Sequence, residues 1–486
     1  MSRLSTRDLA ISAAFLVGGG VIAALGLAGR VDWAIAALGL LLGLIGVVVR
    51  VQFVSRRSRI QEQKAEALEA RRAAERTASA ARRLEEDLAS ARRDLASMRR
   101  EIGSLKGDSG AVSASSTASR AVAETPVTDP GATEELRRFR AGETRRPLGL
   151  VGFFGHGNYG DELFVDVFQQ HLGSRFDIRI IPDLEAKPYF SRPVEDKVAE
   201  VDAIVMGGGD LVQRWSMDPR YFDPTYLRKP LYLAGVGVPV YQNSEKHQEK
   251  PHIIHRLTRY FNNPNVRMIG MRDDFSADWV RTKLEPTAPV LSEPDIVCSL
   301  DLPAASKPAG APILGIVTRQ RRVDTPDDYS RLEELAEHAK SRGFRIRHII
   351  LGTGSVGKRD VANAPALNVS DKEVVYSEDL NDLSRAIGEC TVLASMKFHG
   401  TVVATMYGIP SIVLVPTNKN RNFMARIGRS DLVASHDSDR LIEIFGERGP
   451  APIAPEQVAM LRNRSTKFME ELRNRLVAEV EEQLGS

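Results

Sequence analysis

The sequence predicts an α/β protein: two doubly wound, Rossmann-like domains facing a cleft, carried on a two-helix membrane hairpin and a coiled-coil stalk. Three observations carry that expectation. Short β-rich runs alternate with helical patterns from Pro147 onward, as they do in parallel-sheet folds. Two uncharged apolar runs open the chain. Between them and the head lies a segment rich in Ala, Arg, Glu and Leu, with neither Pro nor Gly until Gly103.

Bulk properties bound the rest. A length of 486 residues suggests two or three units, and a net charge of +3 implies no general affinity for nucleic acid. Only Cys298 and Cys390 occur, both in apolar runs and without metal-ligand spacing. Buried thiols in a reducing compartment fit that usage.

Residues 1–55 read as the hairpin. Leu9 to Gly29 and Trp33 to Val49 carry no charge, and each is near the ~20 residues that span a bilayer as a helix. A cleaved signal peptide competes for the first run. The second run follows within a few residues, and no small-residue cleavage site leads into a polar chain, so the hairpin is favoured. Arg3 and Arg7 precede the first run; Arg56, Arg57 and Arg59 follow the second. Both ends therefore face the cytoplasm by the positive-inside rule. The expectation is a multi-pass protein of the inner (plasma) membrane with a cytoplasmic head.

Residues 56–106 form the stalk. Leu84, Leu88, Ala91, Leu95, Met98, Ile102 and Leu105 alternate steps of three and four, the seam of a coiled coil through which chains self-associate. A single charged helix lying on anionic lipid is the competing reading. Residues 107–146, rich in Ser, Ala, Thr, Gly and Pro, read as a flexible linker.

The head divides into an N-terminal α/β domain over 147–305 and a C-terminal one with a terminal helix over 306–486. Strand expectations in the first are LGLVGFF, FDIRIIP, DAIVMGG, PLYLAGVGV and VRMIGMR; in the second, PILGIVT, RIRHIIL, EVVYS, CTVLAS and PSIVLV. Ligands of such folds sit beyond the carboxyl ends of the strands. Three glycine loops leave successive strand ends there: GNYGDE with Asn158, Gly160 and Asp161; GGGDL with Gly208, Gly209 and Asp210; and GVGV with Gly237. Asn158 either shapes its turn or donates to a hydroxyl. Asp161 and Glu162 either suit the positive end of a helix or face a substrate. Asp210 is equally a turn residue or a cleft residue.

In the second domain the strand TVLAS leads through Lys397 and His399 into an apolar helix near Gly400. A cation beside a histidine at a helix N-terminus suits a phosphate or carboxylate, and the histidine can move a proton.

These loops, taken with GMRDDFS, EPDIV, KFHGTVVATMYGIPSI and NKNRNFM in that order, resemble the polysaccharide pyruvyl transferase family over residues 147 to about 440. The resemblance implies the two-domain glycosyltransferase-B architecture. It also implies transfer of a pyruvyl group from phosphoenolpyruvate to hydroxyls of a glycan or lipid-linked sugar, forming a ketal and releasing phosphate. No cofactor and no metal are implied. By position, Arg272 would bind the donor's phosphate or carboxylate, with Lys397, Gly400 and Lys419 beside it, and His399 would be the acid and base. Family members commonly carry arginine where this chain has Lys397, which keeps the charge and loses the bidentate fork. Asn158, Gly160, Asp161, Gly208, Gly209, Asp210 and Gly237 would line the acceptor side of the cleft. Two other readings stand beside this one. A nucleotide-sugar glycosyltransferase is disfavoured because Thr401 to Val415 holds no Asp or Glu. A non-enzymatic scaffold for polysaccharide export would leave the glycine loops and His399 without a task.

Overall fold

The computed structural model describes residues 130–182, 192–241, 245–306, 309–319 and 328–485. The expected hairpin, the stalk and the linker up to residue 129 lie outside them. Among the described residues, no helix is long and apolar enough to cross a membrane.

Two wholly parallel sheets form the head. The first has the order β2-β1-β3-β4-β5-β6, with β1 Arg146–Val151, β2 Phe176–Ile180, β3 Ala203–Gly207, β4 Leu231–Val236, β5 Val266–Met271 and β6 Val290–Ser292. The second has the order β11-β10-β7-β8-β9, with β7 Ile313–Val317, β8 Arg345–Ile349, β9 Glu373–Val375, β10 Val392–Ser395 and β11 Ser411–Val413. Ten strands match the expected runs. The unexpected β6 is a three-residue edge strand, half-buried throughout, and too short to show a pattern. β3 and β4 are buried at every position, which explains why they read as continuous apolar runs rather than alternating ones.

Strand order reverses at β1/β3 in the first sheet and at β7/β10 in the second. At such switch points neighbouring loops part to opposite faces and leave a crevice. One apolar core joins the halves behind it. It runs from Phe164 and Phe168 through Val402 and Val403 to Leu472 and Leu476.

Two boundary expectations need correction. Part of the expected linker, Pro130–Arg140, is a helix. Phe139 is fully buried, edge-on to Phe176 at 6.2 Å, with the Arg175 guanidinium 4.5 Å above its ring. With Leu136 and Phe139 as its only large apolar residues, this helix shows no periodicity; burial against the head orders it. The terminal helix, Pro455–Gly485, was expected with the second domain and packs on the first. Ser465 Oγ donates to Asp295 O at 3.0 Å, Tyr232 Oη donates to Glu479 at 3.2 Å, and Phe468 fills the space above Gly270.

Candidate active site

The site is assembled from both halves. Arg272 follows β5, and its side chain is 3% exposed. Its Nη2 donates to Asp210, from the loop after β3, and its Nε lies 3.9 Å from Asp273 Oδ2. Nε and Nη1 make no hydrogen bond among the described residues. Lys419, in the helix Asn418–Arg426 of the second half, donates to the other oxygen of Asp210 at 3.1 Å. Burial opposes charge on Asp210, but Arg272 and Lys419 outweigh it and hold the carboxyl far below the usual range. Asp210, expected on the acceptor side or in a turn, is thus the shared counter-ion of the two cations.

The Phe398 ring floors this pair, 5.5 Å from the Arg272 guanidinium and 5.4 Å from Lys419 Nζ. Arg426 adds a third cation, 3.3 Å from Asp274 and donating to Arg272 O at 3.4 Å. Asn422 Nδ2 donates to Asp273 Oδ1 at 3.2 Å. Lys419, Asn422 and Arg426 are spaced three and four apart, hence on one helix face. That spacing is visible in NKNRNFMAR, yet only Lys419 was singled out from it. Arg272, Asp295, Phe398, Lys419, Asn422 and Arg426 line a cavity of about 10 Å³, room for about one water.

His399 stands one residue into the helix Phe398–Met406. Its Nε2 is 3.4 Å from Asp295 Oδ2, and its ring meets Phe164 edge-on at 5.5 Å. Asp295 belongs to EPDIV, whose place in the motif order assigns it no role. It is 2% exposed, and its Oδ1 accepts from Val297 N at 3.0 Å. Burial opposes its ionisation, but His399, Arg272 and the Val297 N–H outweigh that and lower its pKa.

Asp161 approaches from the N-terminus of the helix Tyr159–Leu172. Its carboxyl is pushed up to about 6, because burial outweighs the fields of His399 and Lys419 and the hydrogen bond from Asn158. The Asn158 amide therefore serves the turn, and its backbone bridges to Gly352 of the second half. Gly160 makes room for His399: a Cβ there would lie 1.7 Å from His399 Nδ1. A Cβ on Gly237 would likewise fall 2.4 Å from Arg272 Nη2. Gly208 and Gly209 take φ of +80° and +74°, which lets the loop turn Asp210 inward.

Lys397 is a correction. Its Nζ donates to Asp360 Oδ2 and to Leu351 O, both at 2.6 Å, and it does not line the Arg272 cavity. Burial lowers its pKa against the pull of Asp360. As the residue before the helix it runs back beneath the Gly352 loop, where buried Asp360 needs a countercharge. Gly400 sits against Ser395 Oγ, where a Cβ would be 2.6 Å away, so its part is to close the strand-to-helix turn. No group of three His, Cys, Asp or Glu able to hold a metal ion occurs among the described residues.

The family model for polysaccharide pyruvyl transferase matches residues 158–418, more than half of the chain. The chain belongs to this family. Membership makes it a transferase enzyme acting on a polysaccharide. No curated protein matches it. Among solved structures, similar chains include a protein from Listeria monocytogenes described as a UDP-N-acetylglucosamine 2-epimerase. It shows 10% identity over 68% of this chain and 97% of that one, with a TM-score of 0.44. The UDP-GlcNAc 2-epimerase of Neisseria meningitidis gives 11%, 67%, 99% and 0.40, and the kitacinnamycin glycotransferase 11%, 69%, 99% and 0.42. TM-scores below 0.5 say nothing of activity.

Two outcomes follow from this pyruvyl transferase geometry. Gly160→Ala pushes His399 from its place and should cost about a hundredfold in pyruvyl transfer, read as the pyruvate content of polysaccharide from cells carrying the variant. Wild-type content with normal folding would remove His399 from the chemistry. The folded pKa of Asp161 exceeds the ~3.9 of an unfolded aspartate, so its charge opposes folding above about pH 6 and the penalty fades toward pH 4. Asp161→Asn should therefore stabilise by on the order of 2 kcal/mol at pH 8 and by almost nothing at pH 4. A pH-independent gain in thermal unfolding would show that another group is responsible.

Proposed function

We propose that the protein transfers a pyruvyl group from phosphoenolpyruvate to two hydroxyls of a cell-envelope glycan, forming a ketal and releasing phosphate. The observation that carries this reading is Arg272, a buried guanidinium with two nitrogens unmatched among the described residues, flanked by Lys419 and Arg426. Buried donors without partners are costly, and an anion supplies what they lack. Phosphoenolpyruvate carries both a carboxylate and a phosphate, so clustered cations suit it. The donor would take the place of Asp210 on Arg272 and Lys419, beside the cavity that these cations line.

His399, protonated and held by Asp295, gives its proton to the methylene carbon, which becomes a methyl group. C2 is left electrophilic and is attacked by one hydroxyl oxygen. The C2–O–phosphate bond then breaks, and a second hydroxyl oxygen takes the vacated position. Of the two hydroxyl protons, one restores His399 and the other leaves with phosphate. Arg272 and Lys419 stabilise charge on the departing phosphate.

The apolar runs within residues 1–55 and their flanking arginines support placement of this chemistry at the cytoplasmic face of the inner membrane. Retention in membranes through an alkaline wash is the expected result, and release into the wash would sink the placement. The donor is tested on the full-length protein by thermal unfolding. A donor at about 100 times its Kd stabilises by about 2.7 kcal/mol. Phosphoenolpyruvate should raise the melting temperature of the wild type, and not that of Arg272→Ala or of the charge-retaining Arg272→Lys. A rise with UDP-sugars and none with phosphoenolpyruvate would replace this reading with a nucleotide-sugar transferase.

A further inference from the structure

We propose that Trp215, Tyr241 and His247 form the platform on which the acceptor glycan lays a pyranose ring, an inference that rests on the pyruvyl-transfer reading and adds its acceptor subsite. The three rings pack on one another. Trp215 and Tyr241 have centroids 5.4 Å apart at 58°, Trp215 and His247 4.7 Å at 73°, and Tyr241 and His247 4.7 Å at 50°. Trp215 is the floor at 9% exposure, and Tyr241 is the open wall at 43%.

Their position distinguishes them from the scattered exposed apolar residues of any surface. Trp215 lies five residues beyond Asp210 and Tyr241 four beyond Gly237, on the two loops that present Asp210 and make room for Arg272. Those loops are joined: Gly237 N donates to Gly209 O at 3.0 Å, and Val212 N donates to Gly237 O at 3.3 Å. Lys250 N donates to Arg214 O at 3.0 Å, which fastens the segment bearing His247 to the Trp215 loop. Asn418 holds the loop before Tyr241 from across the cleft, accepting from Val240 N and donating to Val238 O, both at 3.2 Å. It directly precedes Lys419. The platform is therefore fixed to both walls of the donor site.

The chemistry matches a sugar. A pyranose has one face of C–H groups and an edge of hydroxyls, and the C–H face rests on the electron-rich face of an aromatic ring. Tyr and Trp give such contact with little entropy to lose. Arg214, next to Trp215 in the chain, has its Nη1 3.7 Å from Glu249 and a buried Nε without a hydrogen-bond partner among the described residues.

The test is saturation-transfer NMR on the full-length protein, with methyl β-pyranosides of glucose, galactose, mannose and N-acetylglucosamine as probes. At least one should receive transfer at its ring C–H protons from wild type and from Tyr241→Phe. Tyr241→Ala should weaken its binding by on the order of tenfold. No transfer to any probe, or transfer undiminished in Tyr241→Ala, would overturn the platform. Phosphoenolpyruvate-dependent stabilisation, measured on the same samples, separates the two ideas. Its loss with the sugar signal intact counts against the donor reading alone, and the converse counts against the platform alone.

Discussion

The bridge Arg272–Asp210–Lys419 is the interaction on which the site depends. Asp210 is held by a guanidinium from the first half and an ammonium from the second, so the cleft closes on its own counter-ion. Taking three charges out of water is costly, and pairing recovers much of that cost only when every lone pair and proton is matched. Here the matching is incomplete, because two buried nitrogens of Arg272, Nε and Nη1, have no acceptor among the described residues. The site is thus left with donors that an anion can satisfy. The Phe398 ring turns its face to both cations and adds a cation–π attraction.

A second constraint couples proton chemistry to this charge site. His399 meets Asp295, Phe164 and the start of the helix at Gly160 within one small volume. Asp295 feels both His399 and Arg272, and Asp161 feels both His399 and Lys419. Two carboxylates near one histidine are driven apart in pKa, one lowered and one raised to about 6. Environments that separate like groups in this way assign them different tasks. Lys397, by contrast, spends its charge on Asp360 and anchors the turn from which the His399 helix springs.

Two elements at the ends of the head brace the first half. The terminal helix crosses back to the first half, and its Ser465 reaches the backbone of Asp295, the partner of His399. The helix Pro130–Arg140 braces the same side through Phe139. A segment far in sequence from the chemistry thus positions one of its carboxylates.

Much of this was legible in the chain itself. Strands buried on both faces, such as β3 and β4, need unbroken apolar runs, and glycine loops at their ends mark where backbone must turn sharply, so the α/β class and the cleft loops could be read directly. His399, Arg272 and Lys419 were likewise visible through motif order. Pairing was not. Lys397 and Lys419 are both cations beside helix starts, yet one faces Asp360 and the other Asp210, and local sequence does not encode the direction of a side chain. Asp295 and Asp210 gained their roles from partners more than 60 residues away. The helix Pro130–Arg140, with two large apolar residues, is ordered by the surface it meets rather than by its own periodicity. Composition and spacing determined the class of fold and the kinds of residue at its strand ends. Which charges met was decided by tertiary packing, because an ion pair depends on distance and burial, and neither is a property of one segment alone.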